Sequence, residues 1–191
     1  MPQSIQHLTR DQLEAGLDRI RAAPKDEGVL ELIVRRPAVG AREIVEEGVL
    51  DAQHGLAGDT WRMRELSRSR ERAPDPHLQL TIMNARAAAL VAQDKGRWAL
   101  AGDQLFIDFD LSDENLPPGT RLTLGSGVIE VSAKPHTGCR KFVDRFGAEA
   151  MKFVNSPVGR QLHLRGIYAW VVQPGSVREG DVVRKVAPLI R

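Results

Sequence analysis

Chain-reversal signals crowd residues 117–127 and recur at 174–175, and the runs beside them are too short for anything but strands. Pro117-Pro118-Gly119, Gly125-Ser126-Gly127 and Pro174-Gly175 each mark a turn. Between and around them lie short β-rich runs at Gln104–Asp108, Thr120–Leu124, Val128–Ala133, Gly166–Gln173 and Asp181–Val186. Upstream, Val29–Arg35 and Arg42–Leu50 read as strands joined across Pro37-Ala38-Val39-Gly40, and Leu78–Met83 alternates apolar and polar positions. Many short strands with few long helices indicate a mainly β fold with peripheral helices, a barrel or strongly curved mixed sheet. Two helices stand out. Thr9-Arg10-Asp11-Gln12 is a capping-box pattern opening an amphipathic helix that Pro24 ends, and Asn84 caps Ala85–Gln93. The expected organisation is a helical appendage over residues 1–27 and a β-barrel-like domain over 28–191.

A chain of 191 residues with 42% hydrophobic content can bury one full core. The single cysteine excludes a disulfide framework and a cysteine-rich zinc site, which fits a reducing compartment. Residues 1–25 carry charges throughout, unlike a signal peptide, and no run approaches the ~20 apolar residues that span a bilayer. The expectation is a cytoplasmic protein without a membrane partner.

That cysteine, Cys139, lies in His136-Thr137-Gly138-Cys139-Arg140-Lys141-Phe142. Thiolate, not thiol, is the nucleophile and soft metal ligand, and cations and helix N-termini stabilise it. Gly138 breaks the incoming strand. The following residues read as a short helix with Phe142, Val143 and Phe146 inward, stopped by Gly147, so Cys139 is expected in its first turn as a reactive thiol at a cleft mouth. Lys134 to Arg165 holds seven Lys/Arg against two acids in a chain of net charge +2, so the rest is net negative. Concentrated positive charge suits a compact anionic small molecule. Nucleic acid is disfavoured by the near-neutral total and 5% aromatic content. A free cysteine can also be a small buried hydrophobe, and Lys152 and Arg160 can be ordinary solvated cations.

Other residues complete the candidate set. His54-Gly55-Leu56-Ala57-Gly58-Asp59 places His54 and Asp59 around a two-glycine turn, a pattern also common in plain turns. His54, Asp59, His136 and Cys139 could form a mixed metal site or, as a distant alternative, a cysteine hydrolase. Arg165 before Gly166 presents a planar fork to phosphate or carboxylate, or closes a structural salt bridge. The ligand-binding reading takes it as surface-directed. Arg62 to His77, with five arginines and two prolines, reads as a mobile loop or as a basic flap.

The order of these elements resembles a known family. A Gly-Leu-x-Gly-Asp turn is followed by Gln79-Leu80-Thr81, the Asn84 cap, Gly102-Asp103-Gln104-Leu105, Leu122-Thr123-Leu124-Gly125, Cys139-Arg140-Lys141-Phe142 and Leu164-Arg165-Gly166-Ile167-Tyr168-Ala169. Over residues 28–186 this is similar to a stand-alone MOSC domain, the module at the C-terminus of molybdenum-cofactor sulfurases. The resemblance implies a β-barrel-like fold that handles the molybdenum–pterin cofactor, with Cys139 carrying sulfur or binding molybdenum. For such an anionic pterin, the positions of the cations make Arg140 and Lys141 beside the thiol and Arg165 ahead of its strand the expected phosphate or pterin contacts, with His54 and Asp59 on the opposite wall and His136 as a further contact. Sulfur transfer, reduction of N-hydroxylated compounds and a non-catalytic cofactor or persulfide carrier all remain open. A cysteine desulfurase or molybdoenzyme is the implied protein partner, and pyridoxal phosphate would belong only to such a sulfurase. Two departures are visible: Gly138-Cys139 where many members have Pro-Cys, and Gly102-Asp103-Gln104-Leu105 where many have Gly-Glu-Asn-Leu.

Overall fold

The computed structural model describes residues 6–68 and 73–186. In chain order the strands are β1 (Glu27–Arg35), β2 (Glu43–Val45), β3 (Glu47–Asp51), β4 (Gly55–Leu56), β5 (Leu80–Asn84), β6 (Leu105–Asp108), β7 (Arg121–Leu124), β8 (Gly127–Val131), β9 (Ile167–Gln173), β10 (Gly175–Arg178) and β11 (Val182–Lys185). The helices are α1 (Arg10–Ala15), α2 (Leu17–Arg21), α3 (Trp61–Arg68), α4 (Ala85–Ala92), α5 (Arg140–Phe146), α6 (Ala148–Val154) and α7 (Pro157–Gln161). Short 3₁₀ stretches cover Pro76–Leu78 and Lys95–Ala101.

Seven strands close into a mixed barrel in the order β11-β7-β8-β9-β5-β6-β1, with β1 returning to β11, while β2 extends the sheet beyond β1. All pairings are antiparallel except β5–β6. That one parallel step needs a crossover, which α4 and the Lys95–Ala101 turn provide. A second sheet, β10-β3-β4, contributes Leu50, Leu56 and Val177 to the same apolar cluster as the barrel interior. The expected barrel with peripheral helices is therefore the observed fold.

The barrel wall separates two cores. Leu80 and Ile82 of β5 and Leu105 and Ile107 of β6 point inward, whereas Met83 and Phe106 point out to the helices. Two apolar faces explain why β5 is buried at every position instead of alternating. In β1 the faces exchange midway. Leu30 and Ile33 belong to the interior, Leu32 and Val34 to the helical layer, and the β1–β6 register shifts between Leu30 and Leu32. Such a bulge inserts one residue and turns the following side chains over.

The N-terminal helix keeps its capping box but breaks at Gly16 into α1 and α2. A Cβ at Gly16 would lie 2.5 Å from Leu90, so glycine lets this segment sit against α4. Leu13 and Ile20 are buried in the helical core, worth about 1.5–3 kcal/mol each. The Arg42–Leu50 run divides into β2 and β3, and α6, α7 and β10 arise where the sequence offered no strong period. The first half of the arginine-rich segment is the helix α3, not a loop. Among the described residues, no helix is long and apolar enough to cross a membrane.

Candidate functional site

A cavity of about 310 Å³ opens beside the C-terminal end of β1 and the N-terminal ends of β5 and β6. Six cations line it: Arg36, Arg42, Arg64, Lys141, Arg145 and Arg165. Among the described residues, Glu65 is the one carboxylate in the lining. A smaller pocket of about 200 Å³ shares Arg36, Arg42, Arg64 and Lys141, so the basic surface continues into it.

Two of these arginines are fixed by buried carboxylates. Arg36 donates from Nε and Nη2 to Asp59 at 2.7 and 2.9 Å and from Nη1 to the Gly102 carbonyl at 2.8 Å. Asp59 also accepts from the backbone N–H of Arg36 and of Trp61. The fully buried Asp59 side chain is thus a clamp that sets the direction of Arg36. On the opposite side, Arg165 donates from Nη1 to Asp103 at 2.6 Å and from Nη2 to the Ala101 carbonyl at 3.0 Å, with its guanidinium 5.2 Å over the Phe142 ring. Arg165 is therefore buried and salt-bridged, which corrects the expectation of a surface-directed side chain. It nevertheless lines the cavity. Gly166 cannot be replaced here without strain: its φ is +105°, and a Cβ would meet the Ile82 carbonyl at 2.3 Å.

Arg42 is anchored to the carbonyls of Ala41 and Ala99, and Arg145 to that of Leu100. Burial, then the neighbouring Arg145 and Arg36, lower the pKa of Arg42. Like charges held this close are relieved by a bound anion. Gly102, at φ +92°, sits between them. A Cβ there would come within 3.6 Å of Arg42 Nη2 and 3.9 Å of Arg145 Nη1, narrowing the cradle.

Cys139 is exposed at the cavity rim and is the N-cap residue of α5, one position before the expected first turn. Asn155 pins its loop: Oδ1 accepts from the Gly138 N–H at 2.9 Å, and Nδ2 reaches the Gly138 carbonyl at 3.4 Å. His136 also lines the cavity, its ring 4.5 Å from Tyr168 and its Nδ1 3.6 Å from Asp103 Oδ1. Burial first, then Arg165 and Arg36, hold the His136 pKa well below its ordinary value, so the ring is neutral at physiological pH. Asp103 is raised by complete burial, against the opposing pull of Arg165.

Of the residues singled out in the sequence, Cys139, Lys141, Arg165 and His136 come together around this cavity. Arg140 is exposed and outside its lining. His54 is also outside: its Nδ1 lies 2.8 Å from Asp51, and only its carbonyl takes part, accepting from the indole N–H of Trp61, a cavity residue. Asp59 acts from behind the wall. Lys152 is exposed and ion-paired with Glu149 at 2.7 Å, as a solvated cation should be. Arg36, Arg42 and Asn155 were missed, whereas Arg145 was among the cations expected around Cys139 and Arg64 belonged to the possible basic flap. Arg36 carried the best signal, following a strand and preceding a proline that stops it.

A closed mixed barrel with an arginine-lined cavity and a rim cysteine defines the class of protein. Residues 97–184, somewhat under half of the chain, match the family model of the MOSC domain. Arg36, Arg42, Trp61 and Arg64 come from residues before the matched segment. The structure is similar to the YuaD protein from Bacillus subtilis, with a TM-score of 0.56 and 18% identity over 82% of this chain and 94% of that one. It is also similar to YiiM from Escherichia coli, with a TM-score of 0.53 and 20% identity over 84% of this chain and 71% of the other. A crystal structure described as a hypothetical protein has a TM-score of 0.57 and 21% identity over 90% of this chain and 72% of that one. At these identities the likeness is one of fold. No curated protein sequence matches the chain.

Proposed function

We propose that the cavity binds the molybdenum–pterin cofactor or a closely similar anionic ligand, with Cys139 as the protein's sulfur ligand to the metal or as a sulfur carrier. The observation that carries this reading is the convergence of six cations on one cavity whose rim holds the chain's only cysteine. Among the described residues, no group of three or more His, Cys, Asp or Glu could hold a bare metal ion. A metal brought in on its own anionic organic carrier fits better, because it needs only one further soft donor, and thiolate suits it.

The residues divide the work. Arg36 and Arg165 are pre-aimed by Asp59 and Asp103, so little side-chain entropy is lost when they meet a phosphate. Arg42, Arg145 and Lys141 supply further donors, and several fixed donors hold a phosphate better than one flexible cation. Trp61, Phe142 and Tyr168 give the cavity aromatic walls that exclude water. A bound molybdenum centre would supply sulfur transfer or the reduction of N-hydroxylated compounds. Because Cys139 is exposed, it is also open to a persulfide delivered by a partner such as a cysteine desulfurase, in a cytoplasmic setting.

Expression with an active molybdenum pathway, followed by metal analysis, tests the reading. Molybdenum at one per folded chain, lost in Cys139→Ser, with turnover of an N-hydroxylated base, supports the enzyme. Persulfide on Cys139 without molybdenum supports the carrier. Neither metal nor persulfide on wild-type protein would remove the proposal.

A further inference from the structure

Among the described residues, Asp103 Oδ1, His136 Nδ1 and Arg165 Nε are buried beside the cavity and make no hydrogen bond. Orphaned polar groups are costly in a protein interior, so a cluster of them calls for an explanation. Asp103 spends Oδ2 on Arg165 and keeps Oδ1 facing His136 Nδ1 across 3.6 Å. The His136 side chain is only 8% exposed, and that fraction faces the cavity it lines.

The tautomer follows from the partners. A neutral imidazole has one N–H and one lone pair, and whichever nitrogen faces an acceptor takes the proton. Nδ1 faces a carboxylate oxygen, so the proton belongs on Nδ1. Nε2 on the other ring edge is then a bare acceptor, and it is not among the buried unpartnered atoms. The ring does not become another cation, because burial, Arg165 and Arg36 oppose its protonation. The cavity thus combines cationic donors with a built-in acceptor.

We propose that the Asp103–His136 pair is a specificity element, presenting His136 Nε2 as a hydrogen-bond acceptor that selects anions carrying their own proton over fully deprotonated anions of the same size. This rests on the reading of the cavity as an anion site. The ligand class it favours has an N–H or O–H donor next to its negative charge, as in a protonated phosphate or an amide-bearing heterocycle attached to one. A site built to accept a hydrogen bond rejects an analogue that lacks the donor, because the acceptor is left facing a lone pair.

Inorganic phosphate and sulfate make the test, being tetrahedral anions of similar size. Near neutral pH phosphate keeps at least one proton and sulfate none. Binding is followed by isothermal titration calorimetry in wild type and variants alike, and the ¹⁵N ring resonances of His136, where the ring is present, identify the tautomer. Wild-type protein should show an Nδ1–H tautomer and prefer phosphate by roughly ten-fold. His136→Phe should bind both anions with a ratio near one. In Asp103→Asn the amide oxygen must face Arg165, so the NH₂ faces Nδ1, the ring proton moves to Nε2 and the preference turns toward sulfate. Should that variant fail to fold, the wild-type tautomer and His136→Phe still decide. An Nε2–H tautomer in the wild type, equal affinities, or an unchanged ratio in folded His136→Phe would overturn the proposal while leaving an anion site. Binding of neither anion would overturn the anion site itself.

Discussion

Replacing Arg165 by alanine should be costly to the fold as well as to the cavity. Its side chain is 7% exposed, it meets Asp103 at 2.6 Å, and Asp103 is fully buried. Removing one member of such a pair leaves a charge with no compensation and typically costs about 3–5 kcal/mol. The lost bond to the Ala101 carbonyl falls within that range. In urea, at ~2 kcal/mol per molar, the unfolding midpoint should fall by roughly 1.5–2.5 M. The pH dependence gives a second, independent readout. Burial already raises the Asp103 pKa above the ordinary carboxylate value of 3.8, and Arg165 is the main influence opposing it. Without Arg165 the folded state holds a proton on Asp103 that the unfolded state releases above about 3.8. Folded protein then binds more protons than unfolded, so this group's contribution to stability falls as pH rises through that window, by up to ~1.4 kcal/mol per pH unit. The double variant Arg165→Met with Asp103→Leu should recover most of the loss, since a buried ion pair exchanged for apolar groups is often neutral. A loss below about 1 kcal/mol in Arg165→Ala, or a double variant no better than the single one, would refute the argument.

His136 titrates with the opposite sign. Its folded pKa lies well below 6.5, so the unfolded chain binds more protons in the intervening window and stability is lost as pH falls below 6.5. His136→Phe should flatten that acid limb in urea titrations between neutral and mildly acidic pH. Asn155→Ala should cost about 1 kcal/mol overall, because it unpairs Gly138. Its sharper signature should be faster hydrogen exchange at the Gly138 amide and less molybdenum per folded chain, with the barrel amides unchanged.

The barrel was legible because turns and strands are local events. Pro117-Pro118-Gly119 and Gly125-Ser126-Gly127 bracket β7, and Asn84 caps α4 through its own side chain. The site was only partly legible because its charge is assembled from distant segments. Lys134 to Arg165 is rich in cations, yet Lys134 pairs with Asp75 and Lys152 with Glu149, and only Lys141, Arg145 and Arg165 reach the cavity. The other three arginines arrive from residues 36–64, placed by β1, the Ala41 carbonyl and α3. Asp59 looked like a cavity wall because its glycine turn was visible, but which cation it would clamp depends on tertiary contact. The face exchange in β1 was likewise hidden, since a bulge depends on the register of the partner strand.

The closure of β1 on β11 has a kinetic consequence. Glu27 pairs with Arg184, so the first barrel strand to leave the ribosome waits for the last before the ring is complete. Joining ends this far apart carries a large loop-closure entropy and makes closure a late, slow event. Until then the Glu27–Val29 edge is unsatisfied, and an open strand edge is where chains pair with the wrong neighbour. Arg36 and Arg165 lie far apart in the sequence, so the cavity they both line is not assembled until the barrel brings them together. A chain truncated before Val182 should accumulate as an aggregating open sheet instead of a closed barrel.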